Sequence, residues 1–373
     1  MSFARAFRSE VRRIRRTPID LALLTIVPAV LLGLMAAMIS PGAFDSLRVV
    51  IVDRDGGPVA RKMVRNVVAL PRIEVMGVTP EIEDALSAIR REDAVAALVI
   101  PRGIGDGRPG RQPVEIFYEA QFLAAGSFAS NSLQSAARDA LAWGAAVEAP
   151  GGAEIRRVLP GVHVTLLGNP TLSVEWYLGL LLGPGILHLI IAITAIASVG
   201  TVIDKGSFAT FARGTSAPGL DLAGRLLPHV LAGTLWGVLW FLWLTVVRGY
   251  WFEGSMLIVA MGLLMLFLAT VGIGILLLAL TKELATSLSG AVIITGSALA
   301  YSGASFPSDG ASSFVRIWST ALPLTHYLRL QMDEVMGTAL APAMAEIAIL
   351  LLYPLLTGGL AIWMIARSGR AQA

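Results

Sequence analysis

The sequence predicts an α-helical polytopic membrane protein, with six transmembrane helices and a small α/β domain inserted between helices 1 and 2. Three observations carry this. Hydrophobic residues make up 55% of the chain and charged residues only 15%, with a mean hydropathy of +0.71; a soluble globular chain carries about 25% charged residues. Apolar runs recur at or near the roughly 20 residues that a helix needs to cross the hydrocarbon core. Between about Asp45 and Leu172 the composition turns to that of a soluble domain, with strand-like and helix-like segments alternating, which reads as α/β.

The 373 residues divide accordingly. Residues 1–17 form a cytoplasmic amphipathic helix, 18–40 the first span and 41–172 the inserted domain. Residues 173–373 hold spans two to six, with a polar loop at 204–225 and a hairpin at 303–341. In the first segment Phe3, Phe7, Val11 and Ile14 recur at helical spacing, with six arginines largely on the other faces. Such a helix can lie in the headgroup layer with its arginines on anionic lipid, or simply fix orientation as a basic flank. Pro18 to Ile39 is too long for a signal peptide, and the SPGAFDS that follows lacks a small-x-small cleavage site, so an uncleaved anchor is expected.

In the inserted domain, RVVIVDRD (48–55), IEVMGV (73–78), AVAALVI (94–100) and PVEIFYEA (113–120) read as strands. Helical patterns run from the Gly56-Gly57-Pro58 turn to Leu70 and through PEIEDALSAIRRED, and Phe122 to Val147 reads as one long helix. The glycine-rich GIGDG follows a strand but opens no helix, so it reads as a turn rather than a phosphate cradle.

The later spans are expected at Val174–Val202, Leu226–Val247, Met256–Leu280, Leu288–Tyr301 with its flanks, and about Met344 to Ala366. Six spans put both termini on one side. The basic N-terminus, Lys205, Arg213, Arg225, Lys282, Arg367 and Arg370 then face the cytoplasm, while the opposite short loop 248–255 has only Arg248. This follows the positive-inside rule and makes the α/β domain extracytoplasmic.

Several chemistries find no support. With no cysteine there are no disulfides or thiolate sites, and the four histidines, His163, His188, His229 and His326, are scattered singly without metal-ligand spacing. The three lysines, Lys62, Lys205 and Lys282, precede Met63, Gly206 and Glu283, so no nucleotide-binding Lys-Ser/Thr motif is possible. The small net charge of +3 sits mainly in arginines at span ends, an orientation signal rather than a nucleic-acid footprint. His188, near the middle of the second span beside the Gly183-Pro184-Gly185 break, is an ionisable group at bilayer depth. It reads either as part of a substrate path or as a hydrogen-bonded packing histidine. Glu175, Glu346 and Asp20 lie near span ends and are expected to reach headgroups or water. Gly179/Gly183 and Gly233/Gly237 permit close helix approach, within the bundle or at a dimer seam.

Three stretches together resemble the permease subunit of a bacterial type-2 ABC exporter of the multidrug and polymer-export branch. TVIDKGSFATFARGTSAPGLDLAGRLLPH is similar to that family's acidic-x-Gly-Thr loop, with Asp204, Gly206 and Ser207 for the acidic-Gly-Thr part, Pro218 for its proline and Gly224-Arg225 for its Gly-Lys pair. GASFPSDGASSFVRIWSTALPLTHYLRLQMDEVMG (303–337) resembles the family's outside hairpin. VVIVDRDGG and LVIPRGIGDGRPGRQPVEIFYEA resemble its outer domain. The chain departs from the pattern in carrying Ser207 for threonine, Arg225 for lysine and Lys205 where acidic or neutral residues are common.

The resemblance implies a dimer of this chain, or of it and a paralogue, in the bacterial inner membrane. Two separate ABC ATPases would use ATP and Mg, each receiving the 204–225 loop in a groove. In that contact Phe208 and Phe211 would be apolar anchors, and Asp204, Lys205 and Arg213 a charged rim around Gly206 and Ser207. The expected cargo is an amphipathic or lipid-like molecule moved outward, with a periplasmic adaptor as an expected partner. The chain itself holds no cofactor or metal, is no enzyme, and partners with membrane lipid but not nucleic acid. A membrane-anchored sensor or scaffold whose α/β domain binds a ligand is the competing expectation.

Overall fold

A computed structural model describes residues 3–39, 46–91, 93–104, 113–118, 123–148, 173–204, 210–211, 217–302 and 312–371. The chain begins with α1 (Phe3–Arg16), α2 (Pro18–Leu24) and α3 (Ile26–Ile39). It continues through β1 (Leu47–Asp53), α4 (Pro58–Val68), β2 (Ile73–Thr79), α5 (Ile82–Arg90), β3 (Ala96–Ile100), β4 (Glu115–Tyr118) and α6 (Leu123–Glu148). Then come α7 (Val174–Asp204), α8 (Pro218–Leu242), α9 (Met256–Thr281) and α10 (Leu284–Tyr301). Last are α11 (Ser313–Thr320), α12 (Pro323–Val335), α13 (Leu340–Tyr353) and α14 (Gly359–Ala371). Two compact units result: Met1–Ile39 with Leu166–Ala373, and Ser40–Thr165.

The smaller unit is the predicted α/β domain, with each expected strand and helix in its place. Its sheet has the order β2-β1-β3-β4, parallel except for β4. The chain crosses from β1 to β2 in one direction and from β2 to β3 in the other, so α4 and α5 fall on opposite faces. Strand alternation divides the side chains to match. Val49, Ile51 and Leu98 pack against Met63 of α4 and Leu133 of α6, while Val50, Val52 and Val99 pack against Ala85 and Ile89 of α5. The turn after β3 agrees with the reading of GIGDG as far as Ile104, and residues 105–112 lie outside the described set. The Asp55 carboxylate accepts the Gly103 amide at 2.6 Å and the Ile104 amide at 3.3 Å. Those donors serve a side chain of the fold and are not presented to a phosphate.

Six described helical stretches are long and apolar enough to cross a membrane: Pro18–Ile39, Glu175–Thr201, Pro218–Val247, Met256–Thr281, Leu284–Tyr301 and Leu340–Ser368. The second and fourth are the most buried, and their side chains meet in one apolar core through Leu187, Ile191, Leu263 and Phe267. The third span begins at Pro218, inside the predicted polar loop. Helix continues there because Asp221 and Arg225 pair with each other and sit against α1, so the polar residues do not end it. Within the expected hairpin, α12 is no surface helix: Leu324, Tyr327 and Leu330 are fully buried.

Prolines shape the spans, and neighbouring helices answer two of them, Pro28 and Pro184. Proline has no N–H to donate four residues back, leaving a carbonyl orphaned inside the membrane. Pro28 releases the carbonyl of Leu24; the first span breaks between α2 and α3 at Thr25, and Trp236 Nε1 on α8 donates to the Leu24 carbonyl at 2.9 Å. Pro184 releases the carbonyl of Leu180, which accepts from Gln331 Nε2 on α12 at 2.9 Å. The Gln331 Oε1 in turn accepts from the Tyr327 hydroxyl at 2.7 Å. The paired glycines are internal packing: Gly179 and Gly183 receive Leu244 and the Trp240 indole, and Gly233 and Gly237 receive Ile191 and Leu263.

Replacing Trp236 by Phe should cost about 1–3 kcal/mol, the penalty for a buried carbonyl left without a donor. In a Pro28→Ala background the restored amide of residue 28 can serve Leu24, and the same substitution should cost much less. Unfolding in detergent micelles measures both. An equal cost in the two backgrounds would mean the indole acts by packing alone.

Candidate functional site

The polar break predicted from the sequence lies between two helices that the structure describes well. Asp204 is the last residue of α7, and α8 opens at Pro218, where proline suits a first turn whose amides lack intrahelical partners. Lys205, Gly206, Ser207, Phe208 and Arg213 lie outside the described residues. Phe211 is half-buried and packs against the apolar core of the membrane unit, an anchor that holds this part of the loop to its own bundle.

What binds the two helices together beside this loop is a buried charge, Glu10 of α1. The sequence reading grouped Phe3, Phe7, Val11 and Ile14 at helical spacing, on a helix expected to lie in the headgroup layer or to act as a basic flank. The face actually buried is Ala6, Glu10 and Ile14, and Phe3 is exposed. A carboxylate can take that position because three helices supply donors to it. Arg13 Nη2 reaches Glu10 Oε1 at 2.6 Å, and the Ser198 hydroxyl of α7 donates to the same oxygen at 2.7 Å. His229 Nε2 of α8 lies 3.3 Å away, and the Arg225 guanidinium stands 3.9 Å from Oε2. Arg13 extends the cluster to Asp20 at 2.6 Å, and Arg225 extends it to Asp221 at 3.2 Å. Asp20, expected at water or headgroups, is thus held in an ion pair.

Burial alone would push the Glu10 carboxyl up; hydrogen bonds from His229, Arg13 and Ser198, with the Arg13 charge, outweigh it and hold the pKa down to about 2 from an ordinary 4.5. Small residues make this contact possible. A Cβ on Gly224 would lie 2.6 Å from the Phe3 carbonyl oxygen and 2.9 Å from Ala6 Cβ. The Gly224-Arg225 pair therefore has two structural tasks, letting α1 approach α8 and adding a cation to the cluster.

The other predicted residues are placed apart from this cluster. His188 is buried in α7 and stands 2.6 Å from the Thr270 hydroxyl of α9. Thr270 spends its own hydrogen on the Leu266 carbonyl at 2.7 Å. His188 must then donate through Nδ1, which leaves Nε2 as a buried acceptor with no partner among the described residues. Pro184, one turn before His188, acts on α12 through the carbonyl it frees.

At the far end of α7, Glu175 is buried and receives the Arg248 guanidinium at 2.8 and 3.0 Å and the Tyr250 hydroxyl at 2.6 Å. A Glu346 carboxyl oxygen stands 2.7 Å from His326 Nδ1, whose Nε2 faces the Thr320 carbonyl at 2.9 Å. A carbonyl only accepts, so Nε2 carries a hydrogen. Both glutamates, expected at headgroups or water, are partnered inside the protein. Among the described residues no group of three or more histidine, aspartate or glutamate side chains could hold a metal ion.

Six apolar spans, an inserted α/β domain and a polar break whose flanking helices are tied together define a polytopic membrane protein. The chain belongs to the ABC-2 family transporter proteins, whose family model matches residues 20–363. Membership makes it the membrane component of a transporter and implies a partnership with an ABC ATPase subunit. No curated protein and no solved structure matches the chain.

Because the Glu10 pKa is lower folded than unfolded, its contribution is fully present above the unfolded value near 4.5 and is lost as pH falls toward about 2. Protection factors across α1, corrected for the intrinsic pH dependence of amide exchange, should therefore fall on acidification through that window in the native chain. Glu10→Gln should flatten that dependence and leave α1 less protected at neutral pH. An unchanged acid profile in the variant would remove Glu10 as the latch. Gly224→Leu should also expose α1 amides, at every pH.

Proposed function

We propose that this chain is the permease subunit of an ATP-driven exporter that moves an amphipathic or lipid-like molecule out of the cytoplasm or the inner leaflet. It works in the bacterial inner membrane with both termini cytoplasmic and the α/β domain outside, where a periplasmic adaptor can receive the cargo. A separate ABC ATPase binds the ATP and Mg, and the membrane subunit functions beside a second copy or a paralogue. Family membership supports the class, and the distribution of basic residues supports the orientation.

The observation that carries the coupling role is the Glu10 cluster. The segment after Asp204 joins α7 to α8, and Ser198 on one side and Arg225 and His229 on the other converge on a single carboxylate from α1. A push on the loop by an ATPase then moves α1, α7 and α8 as one body, because separating them would strand a charge in the protein interior. Asp204, Lys205, Gly206, Ser207, Phe208 and Arg213 form the docking surface in this reading, with Phe211 seating the loop on the bundle. The buried free nitrogen of His188, near Pro184, gives the interior a polar acceptor where cargo can be recognised.

Co-purification from nanodiscs tests the reading. The native chain should bring down an ATPase activity, and a chain carrying Gly206→Pro and Phe208→Asp should lose it. If neither chain brings down an ATPase, the coupling reading falls and a sensor or scaffold role for the α/β domain takes its place.

A further inference from the structure

We propose that the membrane unit holds one anionic phospholipid in the leaflet at the α1 end of the bundle, with its phosphate between Lys282 and Arg367 and its acyl chain in an adjacent apolar groove. This concerns a resident lipid, and it stands whether or not the chain exports anything.

The groove encloses about 380 Å³ and is walled by α8, α9 and the last span, with Phe3 of α1 at its edge. Its lining, from Leu226 and Val230 across to Val271, Ile275 and Ile362, is apolar. An open apolar groove inside a bilayer is occupied by something, and the nearest charges decide what. On α9, Leu268, Val271 and Ile275 of the groove lie on one stripe, and Ala279 and Lys282 continue it at helical spacing toward the end of the helix.

There a second, smaller pocket of about 250 Å³ is lined by Ala279, Lys282, Trp363, Arg367 and Ser368. Lys282 occupies the left-handed position that ends α9, so its side chain leaves the helix at the pocket. Arg367 lies 5.3 Å over the Trp363 ring, an aromatic of the kind that settles at headgroup depth. Neither cation pairs with a carboxylate among the described residues. Two unneutralised cations and a hydroxyl beside a greasy channel have the chemistry of a phosphodiester headgroup site, as basic pockets between membrane helices do. A zwitterionic choline lipid would set its own cation against the same two charges. The exposed arginines of α1, Arg5, Arg8 and Arg12, add a diffuse positive field but no pocket.

Native mass spectrometry of the purified full chain in detergent tests this, with no ATP and no ATPase present, so the outcome does not depend on the export reading. The probes are phosphatidylglycerol and phosphatidylcholine with identical acyl chains. The native protein should retain one phosphatidylglycerol at least tenfold more tightly than phosphatidylcholine. Lys282→Ala with Arg367→Ala should abolish that preference, a loss of roughly tenfold or more for two cations at the membrane surface. Ala223→Trp, an exposed position on the groove wall, should weaken both lipids alike, and Arg5→Ala with Arg8→Ala should leave the preference intact. Equal retention of the two lipids by the native chain overturns the proposal. So does a preference that survives the Lys282/Arg367 variant, or that disappears with the α1 arginines.

Discussion

The membrane unit is governed by the absence of water. Inside a bilayer an unsatisfied carbonyl or charge costs several kcal/mol, so a proline or a carboxylate at depth needs its demand met, by another helix or by local adjustment of its own. Pro28 and Pro184 each release a carbonyl one turn back, and each carbonyl is taken by a long polar side chain from a distant segment, Trp236 and Gln331. The helix breaks thereby become tethers. The first span is tied to the third at Leu24, and the second span is tied to the helix preceding the last at Leu180. The same logic admits Glu10, a carboxylate with no exposed surface, because the donors around it come from α1, α7 and α8 together.

Much of this was legible in the sequence. Span length and apolarity are local properties, and so is the alternation of the α/β domain; all six spans and four strands could be read from them. The polar break could be located, and its position between two spans was correct at Asp204. What could not be read is the set of partners. Trp236 meets a carbonyl 212 residues away, Gln331 one 151 residues away, and His229 a carboxylate 219 residues away. No periodicity carries such pairings. The burial of Glu10 could not be read for a related reason: by pattern it belongs with the arginines, and its donors Ser198 and His229 come from α7 and α8. The one local signal was Gly224, a helical glycine spaced four residues from Leu220 and Pro228, whose missing Cβ leaves room for α1.

The glycines follow the same division. Sequence left open whether Gly179/Gly183 and Gly233/Gly237 served the bundle or a dimer. The indole of Trp240 fills the first pair and also donates to the Gly179 carbonyl at 2.8 Å, so these positions are spent inside the chain. A contact with a second copy must therefore use other surfaces. The first, fifth and sixth spans are mostly unburied and present Val30, Leu34, Ile293, Leu356 and Leu360 outward.

The second span is where these constraints meet, which bears on how force could pass through the molecule. Near one end Ser198 joins the Glu10 cluster, a turn and a half before the loop. At the other end Glu175 is clamped by Arg248 and Tyr250 from the loop after the third span. Between them its carbonyls at Gly179 and Leu180 hold the third span and α12, and His188 touches the fourth span through Thr270. The bonds at Gly179, Leu180, His188 and Ser198 are buried, and breaking one of them strands a polar group where water cannot replace it. A displacement entering at Asp204 can therefore reach the far end of the bundle without the helices slipping past one another. Motion is left to the segments whose faces carry no such bonds. The fifth span packs directly on α7, with Leu284 against Gly200 and Leu299 against Gly185, and the sixth span has the fewest ties to it.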